Sequence, residues 1–196
     1  MGSISKEAII KWLKDNLNEE RFEHSLGVAE TSVELAKKFN LDTEKAYLAG
    51  LLHDCAKCFK TEDLIQLIKD NLSVEECEMI NPKTYHAPVG AFIAKRDFGI
   101  TDNEILSAIR WHTIGKLEMT DFEKVIFIAD KIEPRTRPVE YINTIKPRLE
   151  ETHGLDMALL ECYKGTIKSL VDRNLKICIS TIEIYNELLR KYERNK

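Results

Sequence analysis

Apolar residues along this chain recur at helical rather than strand-like spacing, and alternation bounded by turns is hard to find. The pattern predicts helices near 5–17, 19–39, 43–58, 61–71, 85–98, 154–172 and 175–194, the fifth ended by Gly99. Three capping boxes mark further starts, each a Ser or Thr with a Glu three residues on: Ser73-Val-Glu-Glu76, Thr101-Asp-Asn-Glu104 and Thr120-Asp-Phe-Glu123. Only 8 Gly and 5 Pro interrupt the pattern, so the expected fold is all-α. No internal repeat or low-complexity linker divides it. Glu133-Pro-Arg-Thr-Arg-Pro138 is the clearest irregular stretch.

Composition narrows the class. A length of 196 residues suits one domain, or a domain with a small extension, and can bury a proper core. With 43% hydrophobic and 32% charged residues the chain reads as globular rather than disordered. A net charge of −4 argues against a dedicated nucleic-acid binder, though a local basic pocket for a small anion fits. No apolar run approaches a membrane span and no signal-peptide pattern opens the chain. Met1-Gly2 suggests myristoylation, but position 6 is Lys where that motif needs Ser or Thr. Five Cys at irregular spacing favour free thiols in a reducing cytosol, so the expected location is cytoplasmic. The expected partners are small molecules, with neither nucleic acid nor membrane, and a homodimer is compatible.

The chemistry starts at His53-Asp54. This pair ends the apolar run Ala49-Gly50-Leu51-Leu52, where a charge must be paired or coordinate a metal. His24, His86 and His112 also sit among apolar residues, and Asp130 ends the run Val125-Ile-Phe-Ile-Ala129. Any one of them alone reads as a core residue satisfied by one hydrogen bond. Six together, on five segments, point to a metal site. Neighbouring helical residues point about 100° apart, so His53 and Asp54 share one metal only if the helix end adjusts. Asp54 has two oxygens and is therefore the natural bridge of a dinuclear site. Two metals roughly 3.5–4 Å apart can clamp a hydroxide and stabilise phosphoryl charge. Histidine plus carboxylate without thiolate suits Fe, Mn, Ni, Co or catalytic Zn rather than a closed structural Zn site. Cys55-Ala-Lys-Cys58 lacks a second metal-spaced Cys pair and any βαβ context, so it reads as filler rather than a redox motif. Trp12, Phe22, Phe39 and Trp111 read as core or interface, and His153 as surface.

In this order the residues resemble the HD-domain metal phosphohydrolase superfamily, an all-α fold. The resemblance sharpens across Arg21-Phe-Glu-His-Ser-Leu-Gly-Val-Ala-Glu30, Gly50-Leu-Leu-His-Asp-Cys-Ala-Lys57 and His86-Ala-Pro-Val-Gly-Ala91. It continues through Ala108-Ile-Arg-Trp-His-Thr-Ile-Gly115 and Ile126-Phe-Ile-Ala-Asp-Lys-Ile-Glu-Pro134. Together these segments look like the YqeK branch, bacterial symmetrical dinucleoside tetraphosphate hydrolases.

The resemblance implies an HD-type helical bundle over 1–150, with a C-terminal helical extension over 151–196 packed on the same domain. It implies two divalent metals, iron foremost, with Mn, Ni or Co also admitted. One would be held by His24, His53, Asp54 and Asp130, the other by Asp54, His86 and His112. A metal-bridging hydroxide would split diadenosine tetraphosphate into two ADP. Asp54, His53 and Lys57 form the expected catalytic set. The expected substrate contacts are His24, Asp54, Cys55, Ala56, Lys57, His86, His112, Thr113, Asp130, Arg135 and Arg137. Guanidinium suits phosphate, and Arg137 is favoured slightly over Arg135. Gly115 offers open backbone beside Thr113. Two other readings stay open: another HD nucleotide phosphohydrolase, such as a nucleoside monophosphate 5′-nucleotidase, and a non-catalytic nucleotide-sensing module.

Overall fold

A computed structural model describes residues 5–194, and Met1-Gly2 lies outside them. Short polar side chains start the first helices by accepting orphan backbone N–H groups. Ser5 caps α1 (Lys6–Asn16), Asn18 caps α2 (Glu19–Lys38) and Asp42 caps α3 (Thr43–Leu52). Then come α4 (Thr61–Asn71), α5 (His86–Arg96), α6 (Asn103–Trp111) and α7 (Asp121–Ile132). The chain closes with α8 (Val139–Ile145), α9 (Gly154–Asp172) and α10 (Ile179–Arg194). Among the described residues there is no β-strand.

Helix α7 is the spine. Val125 to Ala129 are all fully buried, as expected of a helix enclosed on every side. Helices α2, α3, α6 and α9 surround it. Helix α2 lies close against α3 because position 50 is glycine: a Cβ there would come within 2.9 Å of Ala29 Cα and Val28 O. On the other side, Tyr163 of α9 stacks on Phe127 at 5.3 Å, and α10 covers α9 with Ile184 and Leu188. One apolar cluster runs through all of this, from Ile9 to Leu188.

Several element boundaries differ from expectation. The helix predicted over 43–58 stops at Leu52, and a 3-10 turn follows at Cys55–Cys58. The His53 ring donates from Nδ1 to Gly50 O at 2.6 Å, occupying the carbonyl that the Asp54 N–H would use in a continuing helix. Asp102, not Thr101, caps α6, because its carboxylate accepts from both Glu104 N and Ile105 N. Ser73 caps nothing: a 3-10 turn at Glu76–Met79 stands there, with Glu75 N donating to Glu78 Oε2 at 2.8 Å. The box at Thr120 and Glu123 forms as expected. Helix α5 spans a shorter range than 85–98, and α10 begins at Ile179 rather than near 175. Helix α8 and the 3-10 turn Lys146–Glu150 occupy a stretch with no predicted helix.

Candidate metal centre

Five helices each bring one segment to the centre. His24 projects from the second turn of α2, His53-Asp54 follow α3, His86 opens α5, His112 follows α6, and Asp130 lies in the last turn of α7. All six residues are buried, none more than 5% exposed. The two histidines at helix ends share one device. His112 Nδ1 donates to Ile109 O at 2.7 Å, just as His53 Nδ1 donates to Gly50 O. That bond caps the helix and assigns the proton to Nδ1, leaving the Nε2 lone pair pointed inward. His24 is held similarly, with Nδ1 at 3.0 Å from Glu133 Oε1 and 3.1 Å from Thr136 Oγ1.

The inward nitrogens form two groups around Asp54. On one side His24 Nε2 lies 2.9 Å from Asp130 Oδ1 and 3.3 Å from His53 Nε2, with Asp54 Oδ2 3.5 Å from His53 Nε2. On the other, Asp54 Oδ1 is 3.0 Å from His86 Nε2 and 3.5 Å from His112 Nε2, and those nitrogens are 3.1 Å apart. Asp54 thus presents one oxygen to each group. The helix end has adjusted as a shared site for His53 and Asp54 requires.

Electrostatics agree with a cation-holding site. Burial pushes His53 down to about 3 and His86 down to about 4, so both stay neutral and able to ligate. Burial would raise Asp54, but the facing His53 and His86 hold it well below the usual carboxylate range. Asp130 is likewise held low against burial by Lys131 and His24. His24 moves the other way: burial opposes protonation, yet hydrogen bonds to Asp130 and Glu133 raise it above 6.5.

The donor set fits divalent metal. Where the proton is committed at Nδ1, as at His53 and His112, the inward Nε2 lone pair is free to hold a cation shared with its close neighbour. Two groups offer ligand atoms all within 4.8 Å of one another: His24, His53 and Asp130, and His53, Asp54 and His112. Imidazole and carboxylate without thiolate exclude a closed structural zinc site.

Around the centre, Arg137 Nη2 is 2.6 Å from Asp130 Oδ1 and 3.4 Å from His24 Nε2, and Lys131 Nζ is 2.5 Å from Asp130 Oδ2. Thr113 Oγ1 lies 3.3 Å from His86 Nε2 and 3.1 Å from His112 Nε2. Lys57 sits half-buried on the 3-10 turn rather than on an extension of α3, and burial lowers its pKa. Arg135 is turned to the surface, paired with Glu23 and Glu30. The Cys55 thiol faces Gly90 O at 3.6 Å and Ala56 is fully buried, so both side chains belong to the core. Burial pushes the Cys55 thiol far up, which suits filler and not redox chemistry. His153 is exposed at the start of α9, outside the centre.

Sequence reasoning missed four contacts. Arg21 Nη1 is 2.7 Å from Asp54 Oδ2, and Glu133 and Thr136 hold His24. Lys131 is the fourth. Arg21 precedes His24 by three residues and Glu133 follows Asp130 by three, the spacing of neighbours on one helix face. That signal was available.

A helical bundle that closes on two groups of buried histidine and aspartate sharing one carboxylate defines a metal-binding domain. The HD domain family matches residues 21–135. The chain is 37% identical over 186 residues to the symmetrical bis(5′-nucleosyl)-tetraphosphatase of Bacillus subtilis, covering 95% of this chain and 98% of that one. It is 36% identical over 183 residues to the enzyme of the same name from Staphylococcus aureus, covering 93% and 94%. A crystal structure from Clostridium acetobutylicum, of a predicted HD superfamily hydrolase involved in NAD metabolism, matches with a TM-score of 0.89 at 38% identity. That match covers 97% of this chain and 100% of the other. The chain belongs to the HD domain family, among the symmetrical bis(5′-nucleosyl)-tetraphosphatases.

Proposed function

We propose that this protein hydrolyses diadenosine tetraphosphate and related dinucleoside tetraphosphates symmetrically, releasing two nucleoside diphosphates, ADP from the diadenosine substrate. The observation that carries the reading is the division of Asp54, with Oδ2 toward His53 at 3.5 Å and Oδ1 toward His86 at 3.0 Å. That division supports two metals, one on His24, His53, Asp54 and Asp130 and one on Asp54, His86 and His112. Iron is our choice, supported by the family resemblance and by an imidazole-rich set that disfavours Mg or Ca. When bound, the pair supplies an acidified water for attack and offsets charge on the phosphoryl group.

The chain's own residues do the rest. Arg137 and Lys131, both held on Asp130, present cationic donors where non-bridging phosphoryl oxygens gather charge. Thr113 offers a hydroxyl donor on the opposite side, beside His86 and His112. Arg21 pairs with Asp54 and fixes its orientation. Lys57, half-buried and without a carboxylate at ion-pair distance among the described residues, is suited to the leaving diphosphate. We place this chemistry in the cytoplasm, supported by five free thiols. No helix among the described residues is long and apolar enough to cross a membrane.

The test is a product analysis with ferrous-loaded protein and diadenosine tetraphosphate under reducing conditions. ADP as sole product is expected. ATP with AMP would overturn symmetrical cleavage, and no product with two metals bound would overturn the substrate.

A further inference from the structure

Two clefts reach residues that border the metal centre, and α9 walls both. The larger, about 770 Å³, runs between Arg137 and Tyr141 on one side and Gly165 and Ser169 on the other. The smaller, about 220 Å³, is bounded by Thr84, Thr113, Ile114 and Leu175. Lys131, Thr166, Leu170 and Arg173 line both. Each cleft meets a different half of the centre. Arg137 in the larger bonds Asp130 and approaches His24, whereas Thr113 in the smaller sits against His86 and His112.

Charge singles out this pair of clefts. Their walls carry Lys83, Lys131, Arg137, Lys168, Arg173 and Lys176 against a single carboxylate, Asp172, itself 3.3 Å from Lys168. The whole chain has 33 acidic and 29 basic residues, so this is a local reversal that suits a polyanion. Arg173, at the end of α9, has no carboxylate at ion-pair distance among the described residues. Tyr141 and Leu170 give the larger cleft apolar surface, and Ile80, Ile114 and Tyr163 do so for the smaller. The smaller is below the roughly 300–1,000 Å³ of sites that enclose a whole ligand and fits one ring system. A third cleft, between the start of α9 and α10, is lined by none of Lys131, Arg137 and Thr113 and has Glu150, Glu151 and Asp156 in its wall, which repels polyphosphate.

We propose that α9 divides a two-compartment dinucleotide site. One nucleoside occupies each cleft, and the tetraphosphate crosses Lys131 and Arg173 so that its midpoint meets the metal centre. This rests on the hydrolase reading above and gives symmetrical cleavage a structural origin, because each arm is anchored beside a different half of the centre.

The test compares two ligands by calorimetry on metal-loaded protein: diadenosine tetraphosphate and adenosine 5′-tetraphosphate, each with a methylene bridge replacing the scissile oxygen. The second keeps the phosphates and lacks one arm. Unmodified protein is expected to bind the two-armed ligand at least about ten-fold more tightly, from the linked second contact. Ser169→Trp, on an exposed position, fills the larger cleft, and Leu175→Trp fills the smaller. Each is expected to bring the two affinities within about two-fold. Should Leu175→Trp lower thermal stability, Lys83→Glu, also exposed, tests the same compartment with the same expectation. No gap in unmodified protein, or a gap that survives either substitution, overturns the proposal. Failure of the hydrolase reading looks different: no ADP is released from the unbridged dinucleotide while the binding gap persists.

Discussion

Asp54 works through the separation of its two oxygens, each committed to a different group of histidines. Asp54→Asn keeps the volume but replaces one oxygen with an NH₂ that cannot ligate. Metal content is expected to fall from two to at most one per chain, and turnover by at least about a hundredfold, the scale of losing one pre-placed electrostatic contact. Elemental analysis alongside the ADP assay checks both, and wild-type turnover with two metals retained would contradict the bridge. The histidines make a second prediction, for metal-free protein. His53 and His86 lie at about 3 and 4 in the folded chain against 6.5 when unperturbed. From about pH 6.5 downward the unfolded chain therefore binds more protons at these two sites, and acidification favours unfolding. His24 has the opposite sign: its raised value gives stability that is full below 6.5 and lost as pH rises through its folded pKa. Two groups oppose one, so the Tm of metal-free protein should fall between pH 6.5 and 4. A flat or rising Tm in that window, by scanning calorimetry, would refute the buried-neutral assignment.

At the scale of elements, two glycines, Gly27 of α2 and Gly50 of α3, separate support of the site from support of the fold. A Cβ at Gly27 would clash with Glu133 Oε2, the movable end of the side chain that holds His24. Gly27→Ala should therefore displace Glu133, leave the fold intact and weaken metal binding about 10–100-fold, as loss of an outer-shell partner does. At Gly50 the clash is with α2 backbone, which cannot step aside. Gly50→Ala should cost about 1–3 kcal/mol through separation of α2 from α3. Metal titration and thermal denaturation of both variants distinguish the effects, and equal Tm losses would defeat the distinction. The same elements show why parts of the structure were legible in the sequence. Helices α4 and α9 follow the apolar period to the residue, and each of the six candidate ligands announced itself as a polar group in an apolar setting. The end of α3 did not, because the apolar pattern runs on through Cys55-Ala56 while a single ring N–H at Gly50 O stops the helix. The spacing of Arg21 from His24 and of Glu133 from Asp130 was legible but their contacts were not, because a charged residue on a helix face looks solvated until its partner is located. Helix α8 fell in a stretch with no predicted helix, between Pro138 and Pro147.

For the whole molecule, the centre ties α2, α3, α5, α6 and α7 together at one point, so bound metal acts as a cross-link among helices distant in sequence. Metal binds this arrangement and not the unfolded chain, which stabilises the fold by about 4 kcal/mol at a thousand times Kd. At about 2–4 °C per kcal/mol for a chain of this size, that is a Tm rise on the order of 10 °C. The two halves should not contribute alike. The His24 half draws on two carboxylates, Asp54 and Asp130, whereas the His86 half has Asp54 alone with two imidazoles. The second half holds its cation with less charge and should release it first to a chelator. On the proposed mechanism hydrolysis needs both halves, but the remaining metal would still link α2, α3 and α7. A chelator titration followed in parallel by ADP release and Tm is therefore expected to lose activity at the first equivalent removed and most of the stability at the second. Coincident loss of both in one step would mean that the halves are filled as a unit, and that Asp54 couples them too strongly for the carboxylate count to decide the order.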